Sequence, residues 1–364
     1  MFRTLRFFLL AVTVALGLHA PSLMAYSVAV GPASCMTALP HYSTIQSAVS
    51  AVPPFATVIV CPGTYPEQVV ISQPMTLQGL VAGAEIISVP GAGLVANTPS
   101  SFYGTLAAQL LATNTSGVTV KDIIVDGTGS KCSSGVSFTT GIVFYKVGVP
   151  ADVNSGGTIQ NMVVRNEQDG CGEGIWSDNS YITITGNDVH GVDASGVYAA
   201  IGNNKIVSNQ IAQISNGSWL ELATGSVLSG NTIYGAYDGI NFAFVDDSLT
   251  ITNNTIVNSF FCGVCVAPFG FFATQSHATI TQNKISGGFY GVLLNGAAAS
   301  TVQSNMINHT STAAIYDNDH GSAGGNTIKG NTVLEAPCGL SQGSAIGDIL
   351  GPNTLLGVVA TTCP

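Results

Sequence analysis

Five residues on short strand-like segments have side chains suited to carbohydrate chemistry. Trp176 and Asp178 lie in GIWSD, Tyr198 in GVYAA, Glu221 in WLELA and Asn241 in GINFA. Aromatic rings beside acid and amide groups offer a sugar flat apolar area with polar neighbours. Two carboxyls about 6.5–9.5 Å apart are what an inverting glycosidase uses, one protonating the leaving oxygen and the other activating water. Asp178 and Glu221 are therefore the catalytic candidates, with their roles unassigned. Trp176, Tyr198 and Asn241 are the substrate-binding candidates. The competing reading is aromatic cover on a β-surface, packed under a loop such as residues 135–157. Asp238, Asp246 and Asp247 form a second acidic group, read as solvated turn residues.

A repeat must position these residues. TIQNMVV, ITGNDVH, IVSNQIA, VLSGNTIY, ITNNTIV, ITQNKIS, VQSNMIN and IKGNTVL align on Asn161, Asn187, Asn209, Asn231, Asn254, Asn283, Asn305 and Asn331, with Asp122 in the same slot one coil earlier. The spacing runs from 22 to 29 residues. This period, with strand-like segments and no helical pattern, predicts an all-β right-handed parallel β-helix of about a dozen coils, stacked ~4.8 Å apart. Leucine-rich repeats share the period, but their LxxLxL pattern is absent. The anchoring asparagines are expected to occupy left-handed corners and to form amide ladders.

Nine to eleven residues after most anchors comes a second element. Ile175, Val197, Leu220, Ile240, Val264, Val292, Ile315 and Leu340 are assigned to the interior. Alternation then turns Trp176, Tyr198, Glu221, Asn241, Cys265, Leu293, Tyr316 and Ser341 outward. Asp178, Ala200, Ala223, Ala243 and Ala267 follow as the next outward row. Asp178 and Glu221 are then two coils apart, ~9.6 Å along the stack, with a further offset along the strand.

Residues 1–25 read as a signal peptide: Arg3 and Arg6, then an apolar run from Phe7 to Leu18, then small residues to Ala25. Residues 26–57 form a cap containing a short helix, with Ile45, Ala48, Val49 and Val52 on one face and Pro53-Pro54 as its stop. The β-helix spans 58–350, and 351–364 is a C-terminal tail or cap. A secreted or periplasmic monomer is expected, with no membrane span once the signal is removed. Past residue 25 the chain has seven basic and 19 acidic residues. That balance excludes nucleic-acid binding, which needs basic side chains against phosphates, and gives little grip on polyanions.

The eight cysteines of an exported chain suggest disulfides. Cys132 and Cys171 fall in one slot of neighbouring coils and are paired. Cys35 with Cys61 would staple the cap, and Cys338 with Cys363 the far end. Cys262 and Cys265 could bridge locally, bind metal or exchange thiols. No cofactor is expected, and no motif marks a calcium site.

YSTIQSAVSAVPPFATVIVCPGTYPEQVVISQPMTLQG resembles the N-terminal segment of the pectin lyase-like superfamily, and the coils of 118–334 resemble its β-helix repeats. The resemblance implies a scaffold. Gln168-Asp169 matches the QD pair of pectinesterases, without their DFIFG-like and GRPW-like segments. Against the acids of polygalacturonases, YDGIN offers Asp238 and FVDDS offers Asp246-Asp247, but the coil that should bring their second acid pair reads FFCGVC, and GHG and RIK are absent. Glu67 in GTYPEQ matches a recurrent scaffold position. The repeat is also similar to that of the periplasmic copper-binding β-helix family that assists nitrous oxide reductase; His309, His320, Cys262 and Cys265 are the ligands that likeness would draw on. The expected function is an exported β-helix protein acting on polysaccharide, as a glycoside hydrolase or polysaccharide lyase, or binding glycan without cleavage. A copper accessory role ranks third.

Overall fold

The computed structural model describes residues 26–132, 135–148, 156–212, 214–243, 248–266, 277–318, 324–343 and 347–363. The signal segment, Asp246, Asp247, Ala267 and His320 lie outside them. Each coil contributes a strand to each of three parallel sheets, A, B and C, of 14, 12 and 13 strands. Strands from successive coils pair in order, giving the right-handed parallel β-helix that the repeat predicts. One antiparallel partner interrupts the pattern: Thr98–Pro99 pairs with the long sheet C strand Thr105–Thr115.

The sequence sets the sheet A strands by alternation. In Thr250–Thr252 and Thr279–Thr281 the central Ile251 and Ile280 are fully buried, and the flanking threonines are half-buried. β-Branched side chains suit this half-buried pleat, and the isoleucines and valines stack coil upon coil into one core.

The asparagine ladder forms, with a correction to its register. From Asn187 to Asn331 each amide accepts, through Oδ1, the backbone N–H of the equivalent residue one coil earlier; Asn209 N to Asn231 Oδ1 is 3.0 Å. Each Nδ2 donates onward, as Asn209 does to Asn231 Oδ1 at 2.9 Å and Ile184 O at 3.0 Å. These asparagines are buried and are not themselves left-handed. The left-handed slot belongs to the residue before each: Gly186, Ser208, Gly230, Asn253, Gln282, Ser304 and Gly330. Asn161 takes that corner slot beside Asp122, and Met162 occupies the ladder position against Asn187. Burial explains the shift. An inward amide can satisfy several backbone groups that hydrophobic neighbours would leave unpaired.

The predicted cap helix is Ile45–Ala51, with Ile45, Ala48 and Val49 buried. Thr44 caps it through Ser47 N. Glu67 accepts from Ile45 N at 2.8 Å and Gln46 N at 2.9 Å, so it holds two orphan helix donors. Sheet pairing runs past both expected boundaries: Ser27–Val30 pairs with Ala56–Val60, and Thr354–Leu356 and Ala360–Cys363 continue sheets B and C. The disulfides are Cys35–Cys61, Cys132–Cys171, Cys262–Cys265 and Cys338–Cys363. Among the described residues no helix is long and apolar enough to cross a membrane.

Candidate functional site

Sheet C positions the site, and a row of glycines shapes it. Gly174, Gly196, Gly217, Gly239, Gly263 and Gly291 stack where the chain leaves the corner from sheet B. A Cβ on Gly174 would lie 2.5 Å from the Gly196 carbonyl oxygen, and one on Gly291 2.6 Å from that of Ala314. The bend at this row puts the residue before the glycine and the residue three further on onto the same outer face. The Cys262–Cys265 disulfide and the 3.0 Å Asn241 Nδ2 to Asp238 Oδ2 hydrogen bond both span that interval.

Three outward columns result. The first holds Glu173, Ser195, Asn216, Asp238 and Cys262. The second holds Trp176, Tyr198, Trp219, Asn241 and Cys265. The third holds Asp178, Ala200 and Glu221. The sequence reading had placed Glu221 in the second column. The register is instead Val197↔Ser218, Tyr198↔Trp219 and Ala199↔Leu220, so Ser218, not Leu220, takes the interior slot beside Ile240. Leu220 also faces the core, one interior position further along, which is why its apolarity misled the alignment. Asp178 and Glu221 thus share one column, with no offset along the strand.

Both acids are fully buried. The cover is the hairpin turn at 100–104, and residues 135–157 contribute Phe138 at the edge of a sheet C strand. Asp178 Oδ2 accepts from Ser101 N at 2.7 Å, and its Oδ1 from Ser101 Oγ at 2.5 Å. Glu221 Oε1 accepts from Tyr103 Oη at 2.5 Å and Trp219 Nε1 at 3.1 Å, and its Oε2 from Tyr198 Oη. Burial first, and then Glu221, push both tyrosine hydroxyls well above their ordinary pKa. Tyr103 meets Phe138, Trp176 and Tyr198 edge-on, with ring centroids 5.7, 6.0 and 5.9 Å away. Trp176 is completely buried and Tyr198 nearly so, in a small apolar cluster outside sheet C. Asn241 is buried beside Asp238.

The open space lies next to these residues. A groove of about 190 Å³ is lined by Tyr103, Phe138, Tyr198 and Trp219 together with Glu173, Ser195 and Asn216 of the first column. Glu173 Oε2 accepts from Ser195 N at 2.7 Å, and burial raises its pKa to about 8. The sequence reading missed Tyr103, Glu173, Ser195, Asn216 and Trp219.

Residues 100–262 and 268–356 match the family described as periplasmic copper-binding protein (NosD). The chain belongs to the NosD family. No curated protein sequence matches it. Solved structures with a similar fold include the A-module of the Azotobacter vinelandii mannuronan C-5 epimerase AlgE6, at 16% identity and TM-score 0.60, covering 87% of this chain and 90% of that one. The GH136 lacto-N-biosidase of Eubacterium ramulus matches at 9% identity and TM-score 0.54, over 92% and 68%. A tailspike protein of E. coli bacteriophage HK620, in complex with a pentasaccharide, matches at 13% identity and TM-score 0.59, over 90% and 67%.

In this NosD-family chain one group of metal-ligand type stands out among the described residues. Asp238, Cys262 and Cys265 place their ligand atoms within 4.8 Å of one another. Burial raises the Asp238 pKa to about 6. His309 is not part of the group; its Nε2 pairs with Glu335 at 2.7 Å.

Proposed function

We propose that this NosD-family β-helix is an exported, periplasmic or secreted protein that holds a carbohydrate chain on the outer face of sheet C. The groove walled by Tyr103, Phe138, Tyr198 and Trp219 carries the proposal. Rings with an acid, a hydroxyl and an amide beside them are the surface a pyranose needs: apolar faces for its C–H groups and partners for its hydroxyls. The fold neighbours named for mannuronan, for lacto-N-biosidase activity and for a pentasaccharide complex support a carbohydrate ligand. The family description supports the periplasm.

Binding without cleavage is the form that the geometry favours. Asp178 and Glu221 have their oxygens occupied by the 100–104 turn and its neighbours, so an acid–base role for them requires that turn to lift. The deciding experiment titrates the purified protein with a panel of oligosaccharides and assays product release in parallel. Affinity lost in Trp219→Ala, with no products, establishes a binding protein. Products that vanish in Glu221→Gln would establish an enzyme acting at the covered pair.

A copper role is the second reading, favoured by the family description and by Asp238, Cys262 and Cys265. With the two sulfurs joined as a disulfide, the group offers copper one carboxylate and no thiolate. After reduction, two thiolates and a carboxylate would suit a soft metal ion. Copper retained after reduction and lost in Cys262→Ser would establish this reading; equal retention in both forms would remove it.

A further inference from the structure

The acids around the groove have no basic counterpart. Glu173 lines it, Glu221 lies directly behind Tyr103 and Tyr198, Asp178 is two coils from Glu221 in the same column, and Asp238 follows Asn216 in the first column. Among the described residues no basic side chain lines the groove. Lys121, Lys205 and Lys329 sit on sheet A and Lys284 on sheet B. Arg165 is on sheet B and is taken up by Asp126 at 2.9 Å. On sheet C, Lys146 follows Tyr145 and lies over its ring, and Lys131 lines a different pocket with Asn166, Gln168 and Asp169.

We propose that the groove selects uncharged sugars and rejects uronates, a deepening that rests on the glycan-binding reading above. A uronate carboxylate entering between Tyr103 and Trp219 would lose water, find no cation and approach buried Glu221. Such an unpaired, like-charge placement is how a site excludes a competitor that otherwise fits. A neutral sugar meets none of this and finds Ser195, Asn216 and Glu173 as partners. Glu173 contributes as a neutral acid below about pH 8, able to donate its O–H to a sugar oxygen. The titratable groups facing it are Glu221, Tyr103 and Tyr198, and none supplies a positive charge. The volume, about 190 Å³, falls below the ~300–1,000 Å³ of drug-sized pockets, so the groove takes a chain end or short stretch.

The test is calorimetric titration of the intact protein with neutral xylo-, manno- and cello-oligosaccharides, against oligogalacturonate and oligomannuronate of matched length. The expected result is that at least one neutral series binds, every uronate binds at least tenfold more weakly, and Trp219→Ala removes the difference. Asn216→Lys, checked for folding by circular dichroism, should raise uronate affinity at least tenfold. Uronates that bind as tightly as neutral sugars and are lost in Trp219→Ala overturn the charge selection while leaving the glycan reading intact. No binding by any sugar overturns the glycan reading, and this inference with it.

Discussion

Asp178 and Glu221 occupy the same column of sheet C, two coils apart with Ala200 between them, and each clasps one end of the same short turn. Asp178 holds Ser101 and Glu221 holds Tyr103. In the folded state the pair therefore acts as a latch for residues 100–104. Tyr103→Phe or Glu221→Gln should lower the free energy of opening this turn by about 1.5–3 kcal/mol, the worth of a hydrogen bond to a charged group. Amide exchange of residues 100–105 measures it. Unchanged protection would disprove the latch.

The two tryptophans should weigh differently on binding and stability. Trp219 is half-buried on the groove wall, whereas Trp176 is fully buried in the cluster beneath Tyr103. Trp219→Ala should weaken glycan binding tenfold or more and, through its lost hydrogen bond to Glu221, cost about 1.5–3 kcal/mol of stability. Trp176→Ala should cost about 3–5 kcal/mol in chemical denaturation.

Stability should fall as the solution becomes alkaline. Burial raises Glu167 and Glu173 from 4.5 to about 8. Between those values the native carboxyls keep protons that the unfolded chain has released, so native stability declines as pH rises through this window. Acidifying from pH 8 towards 5 should therefore add up to about a few kcal/mol of stability per group and raise Tm. Glu167 is fully buried and burial is the main cause of its raised pKa, so Glu167→Gln should remove much of the slope. A Tm independent of pH in the parent, or the same slope in Glu167→Gln as in the parent, would rule this out.

Breaking the asparagine ladder should cost most at its middle. Asn231 accepts from Asn209 N and Nδ2 and donates to Ile206 O and Asn254 Oδ1. Asn231→Ala strands several buried groups and should cost on the order of 3 kcal/mol or more. Asn353, partly exposed at the ladder's end, should cost less. Urea midpoints of the two variants give the comparison.

The disulfides should differ in structural weight. Cys132 and Cys171 are 39 residues apart in sequence, and Cys262 and Cys265 only three. By loop-closure entropy, removing the first should cost about 3–4 kcal/mol and removing the second about half as much. Equal losses in paired Cys→Ser variants would mean that Cys262–Cys265 braces the sheet by other means.

The β-helix could be read from the sequence because its signals are local and repeated. One inward isoleucine or valine per strand and one asparagine per coil are visible without knowing what touches what. The groove was harder to see. Tyr103 reaches Glu221 across 118 residues, on a turn that no repeat marks. The first column was hidden because strict alternation skips a residue three positions before an outward one, and only the glycine bend brings both to one face. A signal for it exists in GEGIW, ASGVY, SNGSW, YDGIN, FCGVC and FYGVL. Aligned on the glycine instead of on the apolar residue, these put Trp219 with Trp176 and Tyr198, and reveal Glu173, Ser195, Asn216 and Asp238 as one row.

The buried amide ladder also makes the length of this molecule a counted quantity. Asn283 and Asn305 present the same donors and acceptors to their neighbours, and 22 residues separate them. Excising 284–305 would join Asn283 to Met306 in the same phase, and the seam would look like any other coil boundary. The groove lies earlier in the stack and would be untouched. A scaffold of this kind can gain or lose whole turns of the coil as a unit, keeping its binding face while its reach changes in steps of one strand spacing.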